Sequence, residues 1–215
     1  MLEKIKIIVA DDHPLLLKGL TEELINNNYN VIETATNGVD ASNLILKHKP
    51  DIAILDINMP LLSGFEVIKK CKNKNLKTKF IILTSHKESR FVIKAKTLNI
   101  SGYLLKDEPF DEITKCIHAI SNGDTYFSSV FNTIYESKIS PELEKLQTLS
   151  PSELTIIRLI SKNKSTKEIA DSLFISVRTV QKHRTNIIAK LKLNTNRDTL
   201  SAWAIMHIEL LFLED

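Results

Sequence analysis

Through the first 121 positions, short apolar runs alternate with amphipathic stretches. Strands are expected near 5–10, 30–36, 51–56, 79–84 and 101–105, of which all but the second are apolar runs. Runs of this length, apolar on both faces, predict the buried strands of a parallel sheet. Apolar positions at helical spacing predict helices near 14–27, 38–48, 63–73, 88–98 and 109–121. The loops between are short, and right-handed crossovers place helices on both faces of a five-stranded sheet. Pro14 and Pro109 suit first helical turns, and Gly123 suits a helix stop. Residues 123–148 hold no strong strand and read as a linker, in which Ser140-Pro141-Glu142 opens one short helix. From Leu149 the pattern is wholly helical. Ser150-Pro151-Ser152-Glu153 and Ser165-Thr166-Lys167-Glu168 are capping boxes, and Ser176 is a third N-cap. Starts near 150, 165 and 176 leave a tight connection at Phe174-Ile175, a helix-turn-helix layout. A fourth helix near 197–213 completes an all-α domain. The domains expected are thus 1–122, a linker 123–148, and 149–215.

The four apolar runs end on reactive polar residues. Asp11 and Asp12 follow the first expected strand, Asp56 the third, Thr84 the fourth and Lys106 the fifth. Ligands of open parallel sheets bind beyond the carboxyl ends of the strands. Three acids, a hydroxyl and an ammonium would meet on that rim, a set suited to a magnesium ion and a phosphoryl group.

Composition narrows the class. A chain of 215 residues allows one or two domains of roughly 100–200 residues each. No apolar run approaches the ~18 residues of a membrane span, and Met1-Leu2-Glu3-Lys4 leads straight into a strand rather than a signal peptide. Cys71 and Cys116 lack metal or redox spacing, as in a reduced, cytoplasmic protein. Charge is uneven. Residues 1–148 carry 19 basic and 19 acidic side chains, whereas 158–197 carry 10 basic against only Glu168 and Asp171. A net of +8 on a helical segment is either a nucleic-acid footprint or a solvated surface.

The first half resembles the receiver domain of two-component response regulators. The second resembles the LuxR-type helix-turn-helix, through Leu149-Ser150, Glu153, Lys167-Glu168-Ile169-Ala170, Leu173, Ile175-Ser176, Thr179-Val180, His183, Asn186-Ile187 and Lys190-Leu191. Together they resemble the NarL/FixJ class. The resemblance implies a flavodoxin-like receiver in which Asp12 and Asp56, Asp11 directly or through water, and the backbone carbonyl of Asn58 bind Mg2+. It implies that Asp56 accepts a phosphoryl group from a sensor histidine kinase, and that Lys106 balances the phosphate charge. Thr84 would donate to the phosphoryl oxygens, and Tyr103 would turn inward when Thr84 moves. Asn58 and His86 flank the route of the hydrolytic water in that family, although His86 also reads as an ordinary surface histidine.

In the second half, Val180, Ile187 and Leu191, with His183 beside them, form an apolar stripe, and His183 reads as a packed core residue. Outward lie Arg178, Gln181, Lys182, Thr185, Ala189 and Lys192, as on a recognition helix in the major groove of double-stranded DNA. The family's base-reading positions fall on Gln181, Lys182 and Thr185. Thr179 opens the same helix. Arg178, Lys190, Lys192 and the Lys162–Lys167 cluster suit phosphates. Ser152, Gln181 and Asn163 stand where the family usually has arginine, lysine and glycine. The last helix presents Leu200, Trp203, Ala204, Ile208 and Leu211 on one face, serving either the domain core or a homodimer. The expected protein is a phosphorylation-dependent dimeric transcription regulator, not an enzyme beyond its own phosphorylation and dephosphorylation. RNA polymerase is a further candidate partner. Three alternatives stand beside it. A stand-alone signalling module, acting through protein contacts, would lack the +8 helical block. A dehalogenase-type phosphatase would need an acid two residues after Asp56, where Asn58 cannot serve. A phosphate-independent DNA binder would use the first half only for dimerisation or docking.

Overall fold

The computed structural model describes residues 5–194 and 197–212, without side chains at 197 and 198. The expectations for residues 1–4 and for the end of the last helix at 213 lie outside the described residues. The chain divides into two units, Met1–Ile134 and Tyr135–Asp215.

In the first unit the strands are β1 Lys6–Ala10, β2 Asn30–Ala35, β3 Ile52–Leu55, β4 Lys79–Thr84, β5 Gly102–Leu105 and β6 Tyr126–Phe127. The helices are α1 Pro14–Asn26, α2 Gly38–His48, α3 Gly64–Lys72, α4 Ser89–Thr97, α5 Phe110–Ser121 and α6 Ser129–Ile134. The strand order is β2-β1-β3-β4-β5-β6, with every pair parallel. Ile7, Val9, Ile52, Ile54, Ile81, Leu83 and Leu104 pack on Leu17, Leu20 and Leu24 of α1 and on Ile113, Cys116, Ile117 and Ile120 of α5. The intervening Ile8, Ala10, Ala53, Leu55, Phe80, Ile82, Tyr103 and Leu105 are also buried. By strand alternation they line the opposite face. Burial on both faces is why the sequence shows apolar runs rather than alternation.

Three details differ from expectation in this part of the chain. Pro109 is the N-cap of α5 rather than a first-turn residue, whereas Pro14 does occupy the first turn of α1. The sheet has a sixth strand, and the expected linker is largely helical. β6 is only two residues, both half-buried, which is too short to show a period. After α6 come a π-helical turn, Tyr135–Ile139, and α7, Ser140–Gln147, the short helix expected at Ser140.

The second unit continues with α8 Pro151–Ser161, α9 Thr166–Leu173, α10 Val177–Lys190, α11 Arg197–Met206 and α12 Ile208–Leu211. Ser150 and Ser165 form complete capping boxes with Glu153 and Glu168, and Ser176 accepts from the Thr179 amide at 3.0 Å. Each cap contributes about 1 kcal/mol. Asn163 (φ 60°) and Phe174 (φ 55°) adopt the left-handed conformation at the two reversals. Asparagine tolerates that region, so it replaces glycine at 163 without loss of the turn.

The expected single last helix is two. The chain breaks at His207, whose ring stacks on Trp203 at 4.3 Å. The break re-aims the following side chains. Leu200, Trp203, Ala204 and Leu211 are buried as expected, but Leu210 takes the inward place and Ile208 remains 39% exposed. Trp203 Nε1 donates to Glu142 Oε2 of α7 at 3.2 Å, which joins α7 to this domain.

Candidate phosphoacceptor site and nucleic-acid interface

Adjacent strands carry the site residues to one rim. The Asp56 amide donates to the Ala10 carbonyl at 2.9 Å, and the Lys106 amide donates to the Thr84 carbonyl at 2.9 Å. The ladder thus extends one residue past β3 and β5 and sets both side chains at the strand ends. Gly64 lets the start of α3 close on this edge, since a Cβ there would lie 2.2 Å from the Asp56 carbonyl oxygen. Lys106 Nζ stands 2.7 Å from Asp11 Oδ2 and 3.1 Å from Asp56 Oδ2. All three are nearly closed to solvent, with the lysine side chain 9% exposed. Burial raises the pKa of the Asp56 carboxyl, and the charge and hydrogen bond of Lys106 only partly offset that.

Asp12 and His13 complete the acidic cluster. Asp12 Oδ1 is buried and lies 2.9 Å from His13 Nδ1, but without hydrogen-bond geometry. His13 Nδ1 also lies 3.2 Å from Asp11 Oδ1, and the His13 amide donates to that oxygen at 2.9 Å. One ligand atom from each of Asp11, Asp12, His13 and Asp56 falls within 4.8 Å of the others. An all-oxygen set of three carboxylates, with one Asp12 oxygen that has no hydrogen-bond partner among the described residues, fits a hard divalent cation. His13 was legible only as the neighbour of the Asp-Asp pair. An imidazole is a poor magnesium ligand, so we read it as a carboxylate holder.

Thr84 is fully buried and its Oγ1 accepts from the His86 amide at 3.3 Å. Tyr103 points inward, 1% exposed, and its hydroxyl donates to the His86 carbonyl at 2.9 Å. Burial, with Glu88 and Asp56 nearby, pushes this phenol well above its usual range. His86 Nε2 lies 2.6 Å from Asn58 Nδ2, Nδ1 lies 3.3 Å from Glu88 Oε2, and the ring packs on Phe91 at 4.5 Å. The two positions expected to flank a water route are therefore in contact. The cysteines are buried away from this rim. Burial pushes Cys71 up to about 11 and Cys116 to about 12, so neither is a thiolate nucleophile.

In the second unit Val180, Ile187 and Leu191 are fully buried, and Arg178, Gln181, Lys182, Thr185, Ala189 and Lys192 are exposed. His183 is half-buried on the inward side, and its Nδ1 has no hydrogen-bond partner among the described residues. Thr179 Oγ1 is held by Ser176 Oγ at 2.8 Å, and Thr185 Oγ1 donates to the Gln181 carbonyl at 3.1 Å. Lys190, expected to meet phosphate, places Nζ 2.6 Å from Glu153 Oε2. Burial raises the Glu153 carboxyl, but hydrogen bonds from Lys190 and Ser150 outweigh it and hold the group below its ordinary range. The charge of Lys190 is thus already matched within the domain.

Family models match both halves. One described as response regulator receiver domain covers residues 7–118, and one described as bacterial regulatory proteins, luxR family, covers 147–202. The oxygen regulatory protein NreC of Staphylococcus epidermidis (strain ATCC 12228 / FDA PCI 1200) is 32% identical over 201 residues, spanning 88% of this chain and 92% of NreC. The chain belongs to the response regulators with a LuxR-type DNA-binding domain. A DNA-binding response regulator of the LuxR family from Staphylococcus aureus superposes with a TM-score of 0.54 at 29% identity, over 55% of this chain and 99% of that one. RcsB from Salmonella enterica serovar Typhimurium, bound to promoter rprA in the presence of phosphomimetic BeF3-, matches in fold across 98% of both chains. Its TM-score is 0.63 and its identity 24%. This response regulator therefore pairs a receiver with a DNA-binding domain, as two-component transcription regulators do. No helix among its described residues is long and apolar enough to cross a membrane.

Proposed function

We propose that Asp56 accepts a phosphoryl group from a sensor histidine kinase, and that this controls dimerisation and sequence-specific DNA binding. In this reading residues 1–122 receive the signal in the cytoplasm and residues 149–215 read DNA. The observation that carries it is the buried Asp11–Lys106–Asp56 triad beside the orphaned Asp12 oxygen. The Asp56 carboxylate attacks phosphorus, an oxygen–phosphorus bond forms, and the phosphorus–nitrogen bond to the kinase histidine breaks. Lys106 balances the charge that arrives at the carboxylate it already contacts. Asp11, Asp12, Asp56 and the Asn58 carbonyl would hold Mg2+, which neutralises the acid cluster and polarises the phosphoryl oxygens. Thr84 then turns its hydroxyl from the His86 amide toward those oxygens.

The second unit reads DNA through the exposed face of α10. Gln181, Lys182 and Thr185 face base edges, while Arg178 and Lys192 meet phosphates. Thr179 and Lys190, engaged with Ser176 and Glu153, support the helix more than they read DNA. RNA polymerase is a further partner at a bound promoter.

The test is DNA binding with and without a small phosphodonor, run beside sedimentation. Phosphorylated protein should bind selected DNA more tightly and sediment as a dimer. Lys182→Ala should relax base preference, costing roughly 1–3 kcal/mol on the best site, whereas Lys192→Ala should weaken all sequences evenly. If neither affinity nor association state responds to phosphate, the receiver is instead a fixed dimerisation or docking domain. A separate measurement concerns the lifetime of the phosphate. The His86 ring against Asn58 shields the rim, so His86→Ala should shorten the aspartyl-phosphate half-life a few-fold without changing uptake. An unchanged half-life would make His86 a surface residue with no such role.

A further inference from the structure

The edge of the receiver next to Tyr103 is covered by a segment that the chain supplies just after α5. β6 pairs with β5 so that Phe127 stands opposite Tyr103. The Tyr126 amide donates to the Ser101 carbonyl at 2.9 Å and the Ser128 amide to the Tyr103 carbonyl at 3.0 Å. Ser128 is 1% exposed and opens α6, its Oγ accepting from the Phe131 amide at 3.2 Å. Phe131 is equally buried, with its ring 5.0 Å from Tyr103 and stacked on Phe127 at 4.5 Å. Lys96 of α4 closes the outside, its ammonium 4.3 Å from the Phe127 ring and 5.5 Å from Phe131. A ring so enclosed cannot turn outward unless α6 moves, because close-packed interiors leave no room for it.

The other end of Tyr103 leads to the phosphoacceptor. Its hydroxyl is bonded to the His86 carbonyl, and the His86 amide is bonded to Thr84 Oγ1. If Thr84 turns toward a phosphoryl oxygen, it releases that amide and the turn at 84–86 readjusts. The acceptor of the Tyr103 hydroxyl shifts with it. Beyond Ile134 the chain passes directly into Tyr135, the first residue of the second unit.

We infer that Tyr126–Ile134 is the receiver's own read-out segment, gripping Tyr103 through the positioning residue Phe131 more tightly when Asp56 is phosphorylated. The inference rests on the proposed phosphorylation of Asp56. It adds a route by which the state of Thr84 and Tyr103 reaches the chain leading to the DNA-binding domain. Linkage makes the coupling reciprocal, so loosening the grip weakens the response to phosphate.

The test is amide hydrogen exchange on the full chain with Mg2+, with and without a small phosphodonor, with intact mass recorded on the same samples. Phosphate should slow exchange across 126–134 by roughly two- to tenfold, the equilibrium worth of one aromatic pair. Phe131→Ala should take up phosphate normally, lose that slowing, and lose a similar factor of the phosphate-dependent gain in DNA affinity. Phe131→Leu, which keeps an apolar side chain in the same place without the ring pair, should fold and take up phosphate yet still lack the slowing, an outcome a merely structural defect does not predict. Should Phe131→Ala fail to fold, Lys96→Gln removes the outer cation while leaving the buried rings, and should reduce the slowing. Phosphate uptake with unchanged exchange over 126–134 would overturn the inference. Absence of uptake would overturn the Asp56 reading and this one with it, and the mass record separates the two failures.

Discussion

Asp56→Asn protein should take up no phosphate from a small phosphodonor, and it should melt at a higher temperature than the wild type at neutral pH. The two halves of this result come from one fact. Asp56 is 4% exposed, and burial raises its pKa beyond what Lys106 offsets. A raised folded-state value means the folded chain binds this proton more tightly than the unfolded chain does. The stability from that proton is fully present below the ordinary carboxylate range, about pH 4, and is lost as pH rises through the raised folded value. An ionised Asp56 carboxylate is therefore held at a cost to the fold, and the neutral amide removes the cost. Lys106 is not orphaned by the change, because Asp11 remains 2.7 Å away. Intact mass after treatment with donor and Mg2+ reads the first half, and a chelator should abolish uptake by the wild type. Thermal melts from acid to neutral pH read the second, with the gap closing on the acid side. Equal uptake by the two proteins would remove Asp56 as the acceptor, and a lower melting temperature for the variant would show that Asp56 stabilises the resting site.

The fold was legible in the sequence where burial is complete. β1, β3, β4 and β5 are enclosed on both faces, so their composition alone marks them, and the residues that follow them were bound to share one rim. Asp11, Asp56 and Lys106 do meet there. The helix starts were legible because Ser150, Ser165 and Ser176 satisfy amides within their own first turns. What the sequence hid was tertiary. β6 exists because Tyr126 and Phe127 find an open edge of β5, and two residues carry no period. The break at His207 carries no proline or glycine to announce it, and a helical wheel drawn through it misplaces Ile208 and Leu210. The pairing of Lys190 with Glu153 spans 37 residues and has no local signature. The contact of Asn58 with His86 spans 28 residues and likewise has no local signature.

Lys106→Met should be the most destabilising single change at the site, by roughly 3–5 kcal/mol, because it leaves two buried carboxylates without their cation. Asp11 Oδ2 and Asp56 Oδ2 both lose the ammonium that separates them, and the methionine chain keeps the volume, so the loss is electrostatic rather than a cavity. Two further measurements isolate that cause. Adding Asp56→Asn to Lys106→Met removes one of the stranded charges and should recover part of the loss, a coupling expected of contacting groups. A divalent cation should stabilise Lys106→Met more than the wild type, since it supplies the missing positive charge to the folded state alone. Denaturant midpoints with Mg2+ and with chelator read all of these together. A Lys106→Met protein as stable as the wild type, with no added response to Mg2+, would mean that the lysine is a solvated charge. The carboxylate cluster would then need another explanation for how it tolerates burial.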